Sequence, residues 1–124
     1  ELGRLRVQLE NLREALEFFP DVLLVDGVDF VSADPEFFKD FATLAAELKA
    51  EIWFSALSHR HISEVNKRGI PYPCDKFDDM FSVILHLQPE EGGLYLKLLK
   101  DQENESVSGR KVRLNPSTFM IADG

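Results

Sequence analysis

Leu2, Leu5, Leu9, Leu12, Leu16 and Phe19 recur at alternating steps of three and four, which predicts a helix with one apolar stripe, ended by Pro20. A coiled coil needs three or four heptads and fewer are present, so the pattern reads as a helix lying on a sheet. Residues 22–25 form a short unbroken apolar run, as expected of a strand buried on both faces. Asp34 followed by Pro35 reads as N-cap and first helical position, and Phe37, Phe38, Phe41, Leu44, Ala45 and Leu48 form the buried stripe of that second helix. Residues 52–57 are the next strand. The polar stretch 58–69 predicts a loop with a short helix closed by Gly69, and Ile70-Pro71-Tyr72-Pro73 has to be irregular because proline restricts both itself and its predecessor.

Residues 81–87 form a third apolar strand. Glu91, Gly92 and Gly93 turn the chain into a strand at 94–99, and a polar loop at 101–109 leads to another at 112–114. Asn115, Pro116 and Ser117 then make a turn before 118–121. Strand and helix alternate first and short-turn strands follow, which predicts an α/β chain: parallel strands with flanking helices over residues 1–90, and an antiparallel β-hairpin or meander over 91–124. The 124 residues suit one domain, with 44% apolar residues to build its core.

The net charge of −8 disfavours a general nucleic-acid or anionic-membrane surface, since both need positive potential. Residues 1–62 carry 6 basic against 12 acidic side chains, and residues 63–124 carry 8 against 10. The basic residues of the second half gather at Lys97, Lys100, Arg110, Lys111 and Arg113. Cys74 is the one cysteine, which rules out an internal disulfide framework and points to a reducing, cytoplasmic compartment. No apolar run approaches the roughly 20 residues of a membrane span. The chain opens directly into a helical pattern at Glu1, so it is expected to be part of something longer.

Asp26 ends its strand at the edge where open α/β sheets place their ligands. A carboxylate there holds a magnesium-bound water or accepts a phosphoryl group; the alternative is an aspartate that caps a turn before Gly27. Asp29 reads as a loop residue. Ser58, His59, Arg60 and His61 follow the second strand at the same edge, where His59 or Arg60 touches a phosphate or the whole segment is a solvated loop. Two histidines at i and i+2 are a poor zinc site without further ligands. His86, inside an apolar strand, reads as packed or facing a helix rather than catalytic. Ser55 and Ser58 lie near histidines in sequence, but no G-x-S-x-G elbow surrounds them. Lys97 and Lys100, three apart on one strand, are expected on opposite faces.

Taken in order, these segments resemble the C-terminal half of a RecA-like P-loop ATPase core, in the branch of the replicative helicase DnaB and the clock protein KaiC. Residues 21–27 look like the Walker B strand. Residues 51–60 are similar to the strand that delivers a polar γ-phosphate sensor, and 79–88 to the strand after it. Residues 94–121 look like the closing hairpin. The resemblance implies a three-layer RecA-like partial fold and places Asp26 as the cofactor-binding carboxylate acting on magnesium. His59 takes the sensor position, where the family usually has glutamine, and Lys100 matches the lysine that reaches a neighbouring subunit's nucleotide. Where the family has an arginine finger two residues further, this chain has Gln102, which carries no charge to stabilise a transition state. The loops where relatives bind DNA are acidic after Asp26 (Asp29, Asp34, Glu36) and basic after Ser58 (Arg60, Lys67, Arg68), so DNA binding is not expected.

The phosphate loop, G-x-x-x-x-G-K-S/T, is missing, and with it most of the affinity for nucleotide. The resemblance therefore implies ATP and magnesium for a full-length protein that supplies the loop, and no cofactor, no binding and no hydrolysis of ATP for this chain alone. Without a phosphate-loop strand, the strands at 22–25 and 52–57 are expected to pair directly, or the chain to dimerise; a homo-oligomer or dimer is the expected assembly. A second reading is a non-catalytic pseudo-ATPase interaction module, which Gln102 and His59 favour. A third is a receiver-like signalling domain, since residues 19–26 resemble a phosphoacceptor strand and Ser55-Ala56 a switch strand. That fold needs an acidic pair on an earlier strand and has no place for the closing hairpin.

Overall fold

A computed structural model describes residues 2–59, 61–102, 104 and 109–122. The chain divides into two compact units, Glu1–Ser58 and His59–Gly124. Arg60 and most of the polar loop predicted at 101–109 lie outside the described residues.

The first unit holds helix α1 (Leu2–Leu16), strand β1 (Val22–Val25), helix α2 (Pro35–Leu48) and strand β2 (Glu51–Phe54). α1 stops at Leu16, four residues before Pro20, and Glu17 carries a left-handed φ of 51°. α2 starts as its sequence dictates: Asp34 is extended, its carboxylate accepts from the Phe37 N–H at 3.1 Å, and Pro35 takes the first turn. Lys49 ends the helix in the left-handed conformation, with its N–H returned to the carbonyls of Ala45 and Ala46.

β1 and β2 pair in parallel, Val22 opposite Glu51 through Val25 opposite Phe54. Their direct pairing is one of the two arrangements expected of strands without a phosphate-loop neighbour. α2 lies on the sheet through its aromatic stripe. Phe38 and Phe41 meet Phe54 edge-on at 5.5 and 5.4 Å, and Phe30 closes on Phe38 at 5.0 Å. Phe30, Phe38, Phe41 and Leu44 are the buried core of this unit. The burial alternates along both strands, because α2 covers one face of the sheet and, among the described residues, Val22, Leu24 and Trp53 of the other stay exposed. The strand run at 22–25 is thus half-covered, where a strand buried on both faces was expected, and α1, predicted to lie on a sheet, contains no buried residue.

The second unit holds a 3-10 helix (Cys74–Met80) and strands β3 (Val83–Glu90), β4 (Gly93–Asp101) and β5 (Lys111–Leu114), an antiparallel meander in the order β3-β4-β5. Two expectations fail here. β3 was read as the third parallel strand; among the described residues it pairs with β4, antiparallel. The two-residue turn at Glu91–Gly92 makes a hairpin with far less loop to close than a parallel crossover, so the local partner wins. The described part of 58–69 forms turns and a bridge between Val65 and Pro71, with no helix, while the 3-10 helix appears after the prolines.

A chain that is α/β with a parallel pair and an antiparallel meander is therefore the observed architecture. The register gives the meander two unlike faces. Leu85, Leu87, Leu94, Leu96, Leu98, Val112 and Leu114 stand opposite one another on one; His86, Gln88, Tyr95, Lys97, Lys111 and Arg113 do so on the other.

Candidate functional site

In-register parallel strands deliver their next residues side by side. Val25 lies opposite Phe54, so Asp26 and Ser55 leave the sheet together at its C-terminal edge. The Ser55 hydroxyl donates to the Asp26 carboxylate and accepts the Gly27 N–H at 2.8 Å. The Ser55 backbone is held on both sides, its N–H on the Val25 carbonyl and its carbonyl on the Val28 N–H, each at 3.0 Å. Gly27 has φ of 69°, a left-handed conformation that glycine adopts without the penalty a Cβ brings, and this turn aims its amide at Ser55. Asp26 and Ser55 are both exposed. The result is an accessible carboxylate and hydroxyl oriented by backbone.

Sequence reasoning found Asp26 and missed Ser55 as its partner. The signal was present: both residues stand four positions after paired strand starts, Val22 and Glu51, but their pairing was needed to use it. Asp29, read as a loop residue, is one: its carboxylate accepts from Val31 N, Ser32 N and the Ser32 hydroxyl at 3.0, 3.4 and 2.7 Å.

His59 and Lys100 belong to the second unit. The His59 ring packs edge-on to Tyr72 at 5.3 Å and lies 5.6 Å from His61, and the His59 backbone N–H donates to the Tyr72 carbonyl. Arg60, the other phosphate candidate, lies outside the described residues. Arg68 turns toward Asp78 at 3.8 Å, and Lys67 is exposed.

Lys100 is 5% exposed, and its ammonium donates to the Asp78 carbonyl at 2.6 Å, near the end of the 3-10 helix. It lines an open cleft of about 240 Å³ with Asp79, Met80, Phe81, Ser82 and Gln102. The expectation that Lys97 and Lys100 face opposite ways is corrected by a β-bulge. The register slips between Ile84 and Leu85, leaving Lys100 opposite Ile84 and Lys97 opposite His86, two β3 residues of one face. An extra residue in β4 restores the side that three steps along a regular strand would have reversed.

On that face Lys97 pairs with Glu90, which Lys111 also reaches at 3.5 Å, and Lys111 sits 4.5 Å over the Tyr95 ring. The hydrogen bond from Lys97, aided by the charge of Lys111, holds Glu90 below the usual carboxylate range. His86 is pushed below the ordinary imidazole value, first by burial and then by the Lys97 charge. Since the folded value lies beneath the unfolded one, His86 contributes its full stability above about pH 6.5 and loses it as the pH falls through that value toward the folded one. Lys97→Met is expected to raise the His86 midpoint part of the way back, followed by the imidazole proton shifts in an NMR titration. An unmoved midpoint would remove Lys97 as a cause.

The Cys74 thiol is pushed up to about 11 by burial and by the charge of Asp75, which makes it a poor nucleophile near neutrality. Among the described residues no three His, Cys, Asp or Glu side chains converge as metal ligands. Asp26 and Ser55 are hard oxygen donors of the kind magnesium accepts together with water and substrate phosphates, but one carboxylate and one hydroxyl do not make a cage on their own. Among the described residues no helix is long and apolar enough to cross a membrane. No protein-family model matches the chain, and neither a curated protein nor a solved structure matches it.

Proposed function

We propose that this chain is the C-terminal portion of a RecA/DnaB/KaiC-like ATPase domain, unable to bind or hydrolyse ATP by itself. The observation that carries the reading is the Asp26–Ser55 pair, an accessible carboxylate steadied by a hydroxyl at the C-terminal edge of two parallel strands. In this reading β1 and β2 belong to a three-layer sheet whose phosphate-loop strand comes from outside the chain, and the meander after β2 takes the place of the closing hairpin. Asp26 would hold the magnesium of a bound nucleotide. The magnesium ion would neutralise phosphate charge. His59 would serve at the sensor position and Lys100 toward a neighbouring subunit, in a homo-oligomer.

With this chain alone, calorimetric titration with magnesium-ATP is expected to give no binding heat. In a polypeptide that supplies the phosphate loop, Asp26→Asn is expected to weaken magnesium-ATP binding by roughly tenfold or more, about 1.4 kcal/mol at the least. Tight binding to the chain alone, or unchanged affinity in Asp26→Asn, would sink the reading.

One observation favours the non-catalytic interaction module as a second reading. Lys100 is buried and committed to the Asp78 carbonyl, with uncharged Gln102 beside it, where trans-activation asks for an extended cation. Lys100→Ala separates the two: loss of ATP turnover in the assembled protein with unchanged folding supports catalysis, and loss of folding alone supports the module.

A further inference from the structure

A parallel two-stranded sheet ordinarily has helices on both faces, because βαβ crossovers cover it. Here α2 covers one face, and the other is open: Val22 is 49% exposed, Leu24 77%, Trp53 46% and, just beyond the strand, Leu57 84%. α1 is the complementary object. Its stripe of Leu2, Leu5, Leu9, Leu12 and Leu16 contains no buried residue, with Leu16 70% exposed. Arg6 ties α1 to Glu47 of α2. The chain thus carries both halves of a helix-on-sheet layer, the sheet face open and the helix stripe half-covered, with Leu2, Leu5 and Leu9 half-buried and Leu12 and Leu16 exposed.

We propose that a second copy of this chain closes them, the α1 stripe of each copy seating on the open β1–β2 face of the other. Charge agrees with the fit. The step of 100° per residue puts Arg6 and Arg13 together on one flank of the stripe and Glu14 behind it. The open sheet face carries Glu51, with Asp21 at its edge, so the basic flank meets an acidic rim. The area agrees as well. At roughly 100 Å² for a large apolar side chain, the partly exposed residues supply on the order of 600 Å² per contact. Two reciprocal contacts reach about 1,200 Å², the lower bound of stable interfaces. Stacking open face on open face would leave the α1 stripe in water. The pairing rests on exposure and charge in the first unit and is independent of any nucleotide site.

Sedimentation equilibrium of the chain between roughly 1 and 100 µM tests it. A dimer is expected, and Trp53, the one tryptophan, should shift its emission to shorter wavelength as the dimer forms. Leu24→Glu on the face and Leu9→Glu on the stripe should each raise the dimer Kd about tenfold or more. Mixing the two variants should restore a heterodimer through the one contact they leave intact, at an affinity between those of the parent and the single variants. Four results would overturn the proposal: a monomer throughout, a dimer with unmoved Trp53 emission, a dimer indifferent to Leu9→Glu, or no gain on mixing. Far-UV circular dichroism checks each variant's folding, and the Trp53 readout decides in the unsubstituted chain if a variant unfolds.

Discussion

Leu44→Ala is expected to be the most destabilising single substitution in the first unit. Leu44 is 1% exposed in the middle of α2, between the helix and the sheet it covers. Truncation removes the transfer free energy of the lost atoms and leaves a cavity in the packed core, at a cost of about 2–5 kcal/mol. Trp53 lies on β2 of the same unit, whereas both tyrosines, Tyr72 and Tyr95, belong to the second. Tryptophan fluorescence in a urea titration therefore reads this unit selectively, and its midpoint should fall by about 1 M or more. A midpoint within error of the parent would show that α2 does not hold the sheet.

Asn66→Ala is expected to have the largest effect in the second unit, for a different reason. The Asn66 side chain uses all four of its hydrogen-bonding positions. Its amide nitrogen donates to the Asp75 carbonyl at 3.1 Å and to the Asp78 carboxylate at 2.6 Å. Its oxygen accepts the N–H groups of Arg68 at 2.9 Å and Ile70 at 3.1 Å. These bonds tie the irregular segment before the prolines to the 3-10 helix and fix Ile70, which is 0% exposed. Alanine would strand several part-buried polar groups, at about 1 kcal/mol or more each and about 2–4 kcal/mol together.

Asn66→Asp is the sharper version. It keeps the shape, replaces the donor with an acceptor, and sets a second carboxylate against Asp78. Its loss should exceed that of alanine at neutral pH and shrink as the introduced carboxyl is protonated on acidification. Tyrosine near-UV circular dichroism in thermal melts measures both, since Tyr72 sits two residues beyond Ile70. Equal stability of Asn66→Asp and the parent at neutral pH would dismiss the network.

The parts of this fold that local chemistry controls were legible. Asp34 and Pro35 announced the start of α2, the apolar run at 22–25 announced β1, and Glu91, Gly92 and Gly93 announced the first hairpin turn. In each case the decisive contacts lie within a few residues. The candidate site was half legible. Asp26 stands out because an acid following an apolar strand is visible in one segment, but Ser55 becomes its partner through a pairing between residues 29 apart. Lys97 and Lys100 show the same limit. Regular alternation separates them, and a single bulged residue, invisible in the apolar pattern of β4, brings them to one face. Asn66 gave no signal, since an asparagine in a polar stretch reads as a turn residue wherever its bonds go.

The sequence by itself determined the two α-helices, most strand positions, the start of α2, the first hairpin turn and the acid at the end of β1, because periodicity and capping are settled by neighbours along the chain. Tertiary structure decided the rest. It paired β3 with β4 instead of with the parallel strands, joined Ser55 to Asp26, buried Lys100 against the 3-10 helix, and left one face of β1–β2 open. Those outcomes depend on which distant groups can be satisfied together, and alternation along a strand says that a face is apolar without saying what will cover it.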